Sequence, residues 1–247
     1  MIATLEIMMD YLARVGPGLI LGAVMLYLAR RAPRARIVLY VALFILFRDA
    51  MTPLGLWSFG SQGFFWIRLH NNPGFLVVFG VICFGMSLGV YYLDRENRSL
   101  IQWMKGRSHL GLFLGIGGAA VVVAPLMLIY QYTPIESRGG HVRAQIIPAI
   151  LAFALLGNLM EEFLFRGYVY GELAKTMTPI QAGIASGVVF AFCHVYLAIT
   201  VTAIGYPLLV YALWEGIIAG IVRAKSGLLP ATLTHGGAIF LLSSGLV

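Results

Sequence analysis

Residues 146–170 read IIPAILAFALLGNLMEEFLFRGYVY, an apolar run long enough to cross a bilayer as a single helix. The run contains two adjacent acids, Glu161 and Glu162, and one basic residue, Arg166. An ionisable side chain near the centre of a spanning helix costs about 2.5 to 3.5 kcal/mol to insert. Such a residue is retained because a partner offsets the cost or because it performs chemistry. The acid pair therefore marks a candidate functional site.

The composition of the whole chain indicates a membrane protein. Of its 247 residues, 60% are hydrophobic and 11% are charged, and the mean hydropathy is +0.88. These values exclude an ordinary soluble domain and predict an all-α fold, a polytopic transmembrane bundle of about eight helices. The second span is the weakest because Arg48 and Asp49 interrupt it. The predicted spans are 12–29, 37–57, 73–93, 110–130, 146–168, 180–202, 204–222 and 228–246.

The basic residues lie in the connections between the predicted spans. The connections after the first, third, fifth and seventh spans hold twelve of the seventeen Lys and Arg residues. This alternation is typical of membrane topology, and no continuous basic face indicates nucleic-acid binding. The positive-inside rule places these connections in the cytoplasm and both termini outside. We predict an integral, multi-pass protein of a bacterial or archaeal cell membrane, with the lipid bilayer as a partner and no nucleic acid.

The spacing of the charged residues separates the two glutamates. Glu162 and Arg166 are spaced i, i+4 with the acid first, the favourable order for an ion pair on one helix face. Glu161 points about 100° away around the helix, on the face shared with Asn158 and Phe165. It has no cationic partner within its own segment, so we expect its partner to come from another helix.

Two histidines on later spans are candidate partners. If the fifth and sixth spans form an antiparallel hairpin, Glu161 and His194 lie at similar depth and the carboxylate can meet the imidazole. His235 follows the start of the last span by about 10 Å along the helix axis. If the hairpin tip from Arg166 to Ser186 projects into the cytoplasm, the three side chains lie roughly 7 to 12 Å below the cytoplasmic surface, in one site that opens to that side.

Three motifs follow one another on the last spans and resemble a known family. Residues 161–166 read EExxxR, residues 190–194 read FxxxH, and a closing stretch runs from Gly216 and Gly220 to residues 226–235, SGLLPATLTH. This pattern resembles the CPBP (Abi) intramembrane glutamic proteases, the group that includes type II CAAX prenyl endopeptidases. The resemblance covers about the last 100 residues, and the earlier part supports it only through its number of spans.

The resemblance implies an intramembrane endopeptidase that hydrolyses a peptide bond of a membrane-associated peptide or protein. Glu161 and His194 would hold and activate a water, and burial suits a carboxylate to act as the base. His235 would stabilise the oxyanion. Glu162 and Arg166 would brace the site or contact substrate. By the same reading, residues 1–145 form a scaffold of four helices, and residues 146–247 form the catalytic core of the same membrane domain.

One position departs from the family pattern. The family usually has Asn four residues after the last histidine as a second oxyanion donor, and here that residue is Ile239. The loss of one donor typically costs about 3 to 4 kcal/mol of transition-state stabilisation. Either another group replaces it, with Asn158 and Thr234 as candidates, or turnover is slow, or this chain is not a protease. Phe190 of the second motif is expected to support the site.

The resemblance implies no cofactor, although one Glu and two His can also form a three-ligand zinc site. Against zinc, the spacing is not HExxH and the three ligands would come from three helices. The alternative to an enzyme is a non-catalytic membrane peptide-binding protein, of the bacteriocin immunity or scaffold type, in which the acid pair ties helices together. A proton-coupled carrier using Glu161 and Glu215 fits less well, because no paired repeats are found.

Overall fold

The computed structural model describes residues 2–60, 65–202 and 204–247, and helices dominate this part of the chain. The α-helices are α1 (Ile2–Leu28), α2 (Pro33–Met51), α3 (Pro73–Leu93), α4 (Ser108–Tyr130), α5 (Ile147–Glu162), α6 (Tyr170–Leu173), α7 (Pro179–Phe192), α8 (Tyr206–Ser226) and α9 (Leu228–Ser244). Two antiparallel strands, β1 (Trp57–Gly60) and β2 (Trp66–Leu69), pair between α2 and α3.

The predicted all-α transmembrane bundle is confirmed. Among the described residues, 7 helical segments are long and apolar enough to cross a membrane, and α9 is a shorter apolar helix. Proline explains several of the boundaries, since its fixed φ and missing N–H suit the first turn of a helix. It occupies that turn in five helices, at Pro33, Pro73, Pro148, Pro179 and Pro207. The largest difference is α1, which begins at Ile2 and not at the predicted residue 12.

The two termini lie at the same end of the bundle, which we call the terminal end. Thr4 of α1 hydrogen bonds to Asn72 at the start of α3. Beyond α9, the carbonyl of Val247 accepts a hydrogen bond of 2.7 Å from Arg138, in the connection between α4 and α5. The predicted basic connections lie at the opposite end, the basic end, where Lys105 donates to the carbonyl of Ala224 at 3.0 Å.

The β-hairpin was not predicted from the sequence, which was read there as a connection. Its strands pair Trp57 with Leu69 and Gly60 with Trp66. Tyr130, at the end of α4, donates a hydrogen bond of 2.6 Å to the carbonyl of Phe65 just before β2, so the hairpin lies at the terminal end. Aromatic residues on both sides of a Gly-containing turn are a recognised hairpin signal, and that signal was present.

Helices α7 and α8 approach each other through glycine. A Cβ on Gly216 would lie 2.7 Å from the carbonyl oxygen of Gly187. One turn further along, a Cβ on Gly220 would overlap the carbonyl oxygen of Gly183. Contact of this kind brings the two backbones together without intervening side chains, a common mode of helix packing in membranes. The helix that leads into His194 is thereby fixed against the helix that carries Glu215.

We expect Gly220→Ala to lower the free energy of unfolding by about 1 to 3 kcal/mol, because the atom that must move aside is backbone. The matched control is Gly117→Ala on α4, where a Cβ meets nothing within 4 Å. Ala is the better helix former, so the control is expected to be neutral or slightly stabilising. Unfolding of the two variants in detergent tests this. Equal stability of both proteins would contradict the close contact of the two helices.

Candidate functional site

The helices that carry the first two motifs change their geometry at those motifs. Helix α5 ends at Glu162 and continues through a π-helical segment, Phe163–Val169, into α6. Helix α7 ends at Phe192, and a turn at Cys193 and His194 precedes a second π-helical segment, Leu197–Val201. Wider turns of this kind are frequent at functional sites. Both motifs therefore lie where the regular side-chain register of a helix is interrupted.

A chain of buried contacts joins the first motif to the last. Arg166 Nη1 donates to Glu162 Oε1 at 2.6 Å, as the i, i+4 spacing predicts. The same oxygen lies 2.9 Å from His235 Nδ1 on α9. An ionised carboxylate only accepts hydrogen bonds, so Nδ1 carries the proton. Arg166 Nη2 also donates to the carbonyl of Gly216 at 3.1 Å. Glu162 thus fixes both the arginine and the orientation of the imidazole.

A third acid, Glu215, lies on the other side of the same imidazole. Its Oε1 is 3.5 Å from His235 Nε2 and accepts a hydrogen bond of 3.3 Å from the Tyr211 hydroxyl. His235 is therefore placed between two buried carboxylates, Glu162 and Glu215. From its sequence position, Glu215 was given a role only in the less favoured hypothesis of a proton-coupled carrier. The signal that pointed to it was the cost of an acid within a predicted span.

Glu161 differs from the other two acids because it has no direct partner. It is buried, with 7% of its surface exposed, and Oε2 has no hydrogen-bond partner. Among the described residues it forms neither a hydrogen bond nor an ion pair, so the structure does not show the direct partner on another helix that we expected. It lines the same cavity as His194 and His235. A buried carboxylate without a partner is costly, which makes this residue the least explained by stability alone.

His194 does not bond to Glu161 because both of its ring nitrogens are used elsewhere. Nδ1 lies 2.8 Å from the carbonyl of Phe190, and Nε2 lies 3.1 Å from Arg48 Nη1 on α2. A carbonyl only accepts and a guanidinium only donates, so the ring is neutral, with the proton on Nδ1 and a lone pair on Nε2. Arg48 and Asp49 were read from the sequence only as an interruption of the second span.

Arg48 is held in place by its neighbours on two elements. Nε and Nη2 both approach Asp49 Oδ1 at 2.8 Å. Nη2 also donates to the carbonyl of Cys193 at 2.8 Å. Side-chain exposure is 2% for Arg48 and 5% for Asp49, so the ion pair is buried. The N-terminal half, expected to be a scaffold, thus contributes a charged side chain to the site.

These residues surround a cavity of about 50 Å³, room for roughly three water molecules. Five ionisable side chains other than tyrosine line it: Arg48, Glu161, His194, Glu215 and His235. Most of the remaining lining is apolar and aromatic. Four of those residues, Trp57, Phe59, Phe65 and Ile67, lie on or beside the hairpin. The cavity therefore extends from the middle of the bundle toward the terminal end.

This placement differs from the prediction that the site opens toward the basic end. Among the described residues, none from the basic connections lines the cavity. The reason is a core cluster on that side, where Phe163 and Tyr168 pack with Ile101 and Trp103 from the connection between α3 and α4. Phe163 and Tyr168 are fully buried in it. Sequence reasoning located the three ionisable residues along their helices but did not predict the packing around them.

The three residues considered for the second oxyanion donor differ in whether they line the cavity. Ile239 lines it, as does Asn158, whose amide donates to the carbonyl of Ala154 at 2.7 Å. Thr234 instead donates to backbone carbonyls, at 3.2 Å to Gly115 and 3.1 Å to Pro230. Thr234 is not part of the lining, so the prediction that it replaces the missing donor is wrong.

Phe190 occupies the centre of the three motifs. Its ring centroid lies 4.4 Å from the Arg166 guanidinium carbon, 4.4 Å from the His194 ring and 5.5 Å from the His235 ring. The face of an aromatic ring attracts a cation, and its bulk excludes water from the Glu162–Arg166 pair. Arg166, His194 and His235 thus surround the Phe190 ring. Glu161 and Asn158 line the same cavity as Phe190, and Glu162 contacts His235.

A comparison with known protein families matches the segment that carries the three motifs. Residues 143–241 match the family model described as Type II CAAX prenyl endopeptidase Rce1-like. No curated protein and no solved structure matches the chain significantly. The matched segment contains Glu161, His194, Glu215 and His235, whereas Arg48 and the hairpin lie outside it.

Proposed function

We propose, from the match of residues 143–241 to the type II CAAX prenyl endopeptidase Rce1-like family model, that this multi-pass membrane protein is an endopeptidase in which Glu161 activates water. The observation that carries this proposal is the unpartnered carboxylate of Glu161 in a cavity of about 50 Å³. The cavity has room for water, and the carboxylate has a lone pair free to accept a proton. No cofactor is part of the proposal, and among the described residues no three His, Cys, Asp or Glu side chains are grouped as metal ligands.

In the proposed reaction, a water held by Glu161 attacks the carbonyl carbon of the scissile bond. The water proton moves to the Glu161 carboxylate, and the oxygen forms the new bond to carbon. The carbon–nitrogen bond then breaks, and the proton passes from Glu161 to the leaving amine. General acid–base catalysis by one positioned group contributes on the order of 10² to 10⁴ in rate.

His235 is the proposed electrophilic partner of this reaction. Its Nδ1–H is held by Glu162, itself paired with Arg166, so the ring is fixed with Nε2 toward Glu215. An Nε2–H group stabilised by Glu215 donates a hydrogen bond to the carbonyl oxygen as negative charge develops there, and the proton stays on His235. Glu162 and Arg166 act through His235 and are positioning residues. Glu215 joins them in this proposal because of its place beside Nε2.

The substrate is proposed to be a membrane-associated peptide or protein segment. The present cavity is far smaller than a peptide, so binding requires that part of its wall move aside. By the positive-inside rule the basic end faces the cytoplasm, and the wall formed by the hairpin then faces the opposite leaflet. A prenyl group on the substrate is one possibility that the family match raises, and the site itself does not require it.

A non-catalytic peptide-binding protein is the second candidate, and one observation favours it. Both ring nitrogens of His194 are occupied, by Phe190 and by Arg48, so this histidine does not reach a water in the present arrangement. A protein that only binds peptide needs no free base. The two candidates differ in whether a bound peptide is cut.

Cleavage mapping distinguishes the two candidates. Membranes from cells that produce the wild-type protein or Glu161→Gln are compared for new peptide termini. We expect defined cleavage products that appear with the wild-type protein and are absent with Glu161→Gln. Peptides that co-purify uncut and equally with both proteins would support the binding protein. Identical sets of termini in the two membranes, with no bound peptide, would contradict both candidates.

A further inference from the structure

We propose that Arg48 is a catalytic residue of this site: its Nη1 group releases His194 when substrate enters and donates to the substrate carbonyl oxygen. This inference rests on the proposed function and deepens it. It assigns a donor role to α2, which lies outside the segment that matches the family. The geometry of Arg48 and the chemistry of the donors around the cavity carry the argument.

The two ends of the Arg48 guanidinium differ in how firmly they are held. Asp49 Oδ1 holds Nε and Nη2, and the carbonyl of Cys193 holds Nη2 as well. Among the described residues, Nη1 bonds only to His194, and this bond uses one of its two hydrogens. The side chain is therefore anchored at one end, while its other end has a spare donor, and the residue lines the cavity.

Most of the other hydrogen-bond donors that line the cavity already have partners. The Tyr211 hydroxyl donates to Glu215, and the Trp57 indole donates to Thr52. The Asn158 amide uses one of its two hydrogens on its own helix and carries no charge, and Ile239 offers no donor at all. Besides His235, Arg48 is therefore the lining residue best able to bind a developing oxyanion. A charged donor forms a stronger hydrogen bond than a neutral one, most of all where water is excluded.

The contact between Arg48 and His194 occupies two groups at once, the Nη1 donor and the Nε2 lone pair. While Arg48 bonds to His194, the Nε2 lone pair is masked. When Nη1 turns to a carbonyl oxygen, the same movement exposes that lone pair to the water beside Glu161. No proton leaves Arg48 in this exchange, since a guanidinium stays protonated. One hydrogen bond is broken and one is formed, so substrate entry completes the site without changing its net charge.

The test measures kcat and KM on the peptide identified by cleavage mapping. Arg48→Met leaves Asp49 without its partner, so the main variant is the double substitution Arg48→Met/Asp49→Asn, which removes both buried charges. We expect kcat to fall by about 10² to 10³, the usual effect of losing one oxyanion donor, with little change in KM. Arg48→Lys, which keeps a charged donor, is expected to retain more activity.

Rescue separates a donor from a merely structural role. Ile239→Asn places an amide on the cavity wall beside His235. Added to Arg48→Met/Asp49→Asn, it is expected to restore kcat at least tenfold. Arg138→Met is the matched control, because Arg138 is also a buried arginine but does not line the cavity. We expect its kcat to stay near the wild-type value.

Several results would overturn the proposal. Unchanged or increased kcat in the double variant, no rescue by Ile239→Asn, or an equal loss in Arg138→Met would each do so. The proposed function is tested separately by Glu161→Gln in the same assay. If Glu161→Gln is inactive while the Arg48 variants remain fully active, only the role of Arg48 is wrong. If the wild-type protein cuts nothing, both proposals fall together.

Discussion

Glu161→Gln is expected to abolish peptide cleavage and to leave the protein as stable as the wild type or more stable. The loss of activity is expected to be on the order of 10³-fold or greater, because an amide does not accept the water proton. The stability follows from the surroundings of the side chain. Glu161 forms no hydrogen bond or ion pair with the described residues, and Oε2 is buried without a partner. Its replacement removes an uncompensated charge at constant volume.

The measurement combines a cleavage assay with thermal unfolding of the purified protein in detergent. The matched control is Glu136→Gln, which makes the same chemical change at an exposed side chain in the connection between α4 and α5. We expect this control to match the wild type in both assays. Retained activity in Glu161→Gln would end the proposed role. A large loss of stability would show that Glu161 has a structural partner after all.

Arg166→Met, unlike Glu161→Gln, is expected to cause a large loss of stability. The Arg166 and Glu162 side chains are both 0% exposed, and the ion pair between them measures 2.6 Å. Removing one partner of a buried pair typically costs about 3 to 5 kcal/mol, because the other charge remains uncompensated. Arg166 also donates to the carbonyl of Gly216, so this acceptor loses its partner as well.

A second substitution is expected to recover much of that loss. In Glu162→Gln/Arg166→Met both charges are absent, and the amide oxygen at position 162 still accepts a hydrogen bond from His235. The free energy of unfolding in denaturant is the quantity to compare. The control is Arg143→Met, because Arg143 is exposed and, within the part of the chain that the structure describes, bonds only to the carbonyl of Asn71. If the double variant is less stable than Arg166→Met, the buried charge is not the cause of the loss.

Sequence predicted the parts of this site that helix geometry fixes locally. The spans follow from the length of apolar runs, and the Glu162–Arg166 pair follows from its spacing of four residues. The same geometry placed Glu161 on a different face from Glu162, and the structure confirms that the two acids have different surroundings. Contacts within one helix depend on little except the periodicity of that helix.

Contacts between helices were predictable only in part. Arg48 and His194 lie 146 residues apart in the chain, and their contact depends on how α2 is rotated against the end of α7. No local spacing carries that information. Glu215 was noticed as a costly acid, but its place beside His235 depends on the packing of α8 against α9. The hairpin, which forms one wall of the cavity, was read as a connection because its strands are only four residues long.

The glycine contact between α7 and α8 determines which half of the molecule sets access to the site. Backbones packed this closely move as one body, so the spacing between His194 and Glu215 is preserved while a peptide enters. The wall that yields is then the one built by the hairpin, whose residues carry none of the ionisable groups that line the cavity. We expect that exchanging residues 57–69 for the equivalent region of a related protein alters which peptides are accepted and leaves the bond-breaking step intact.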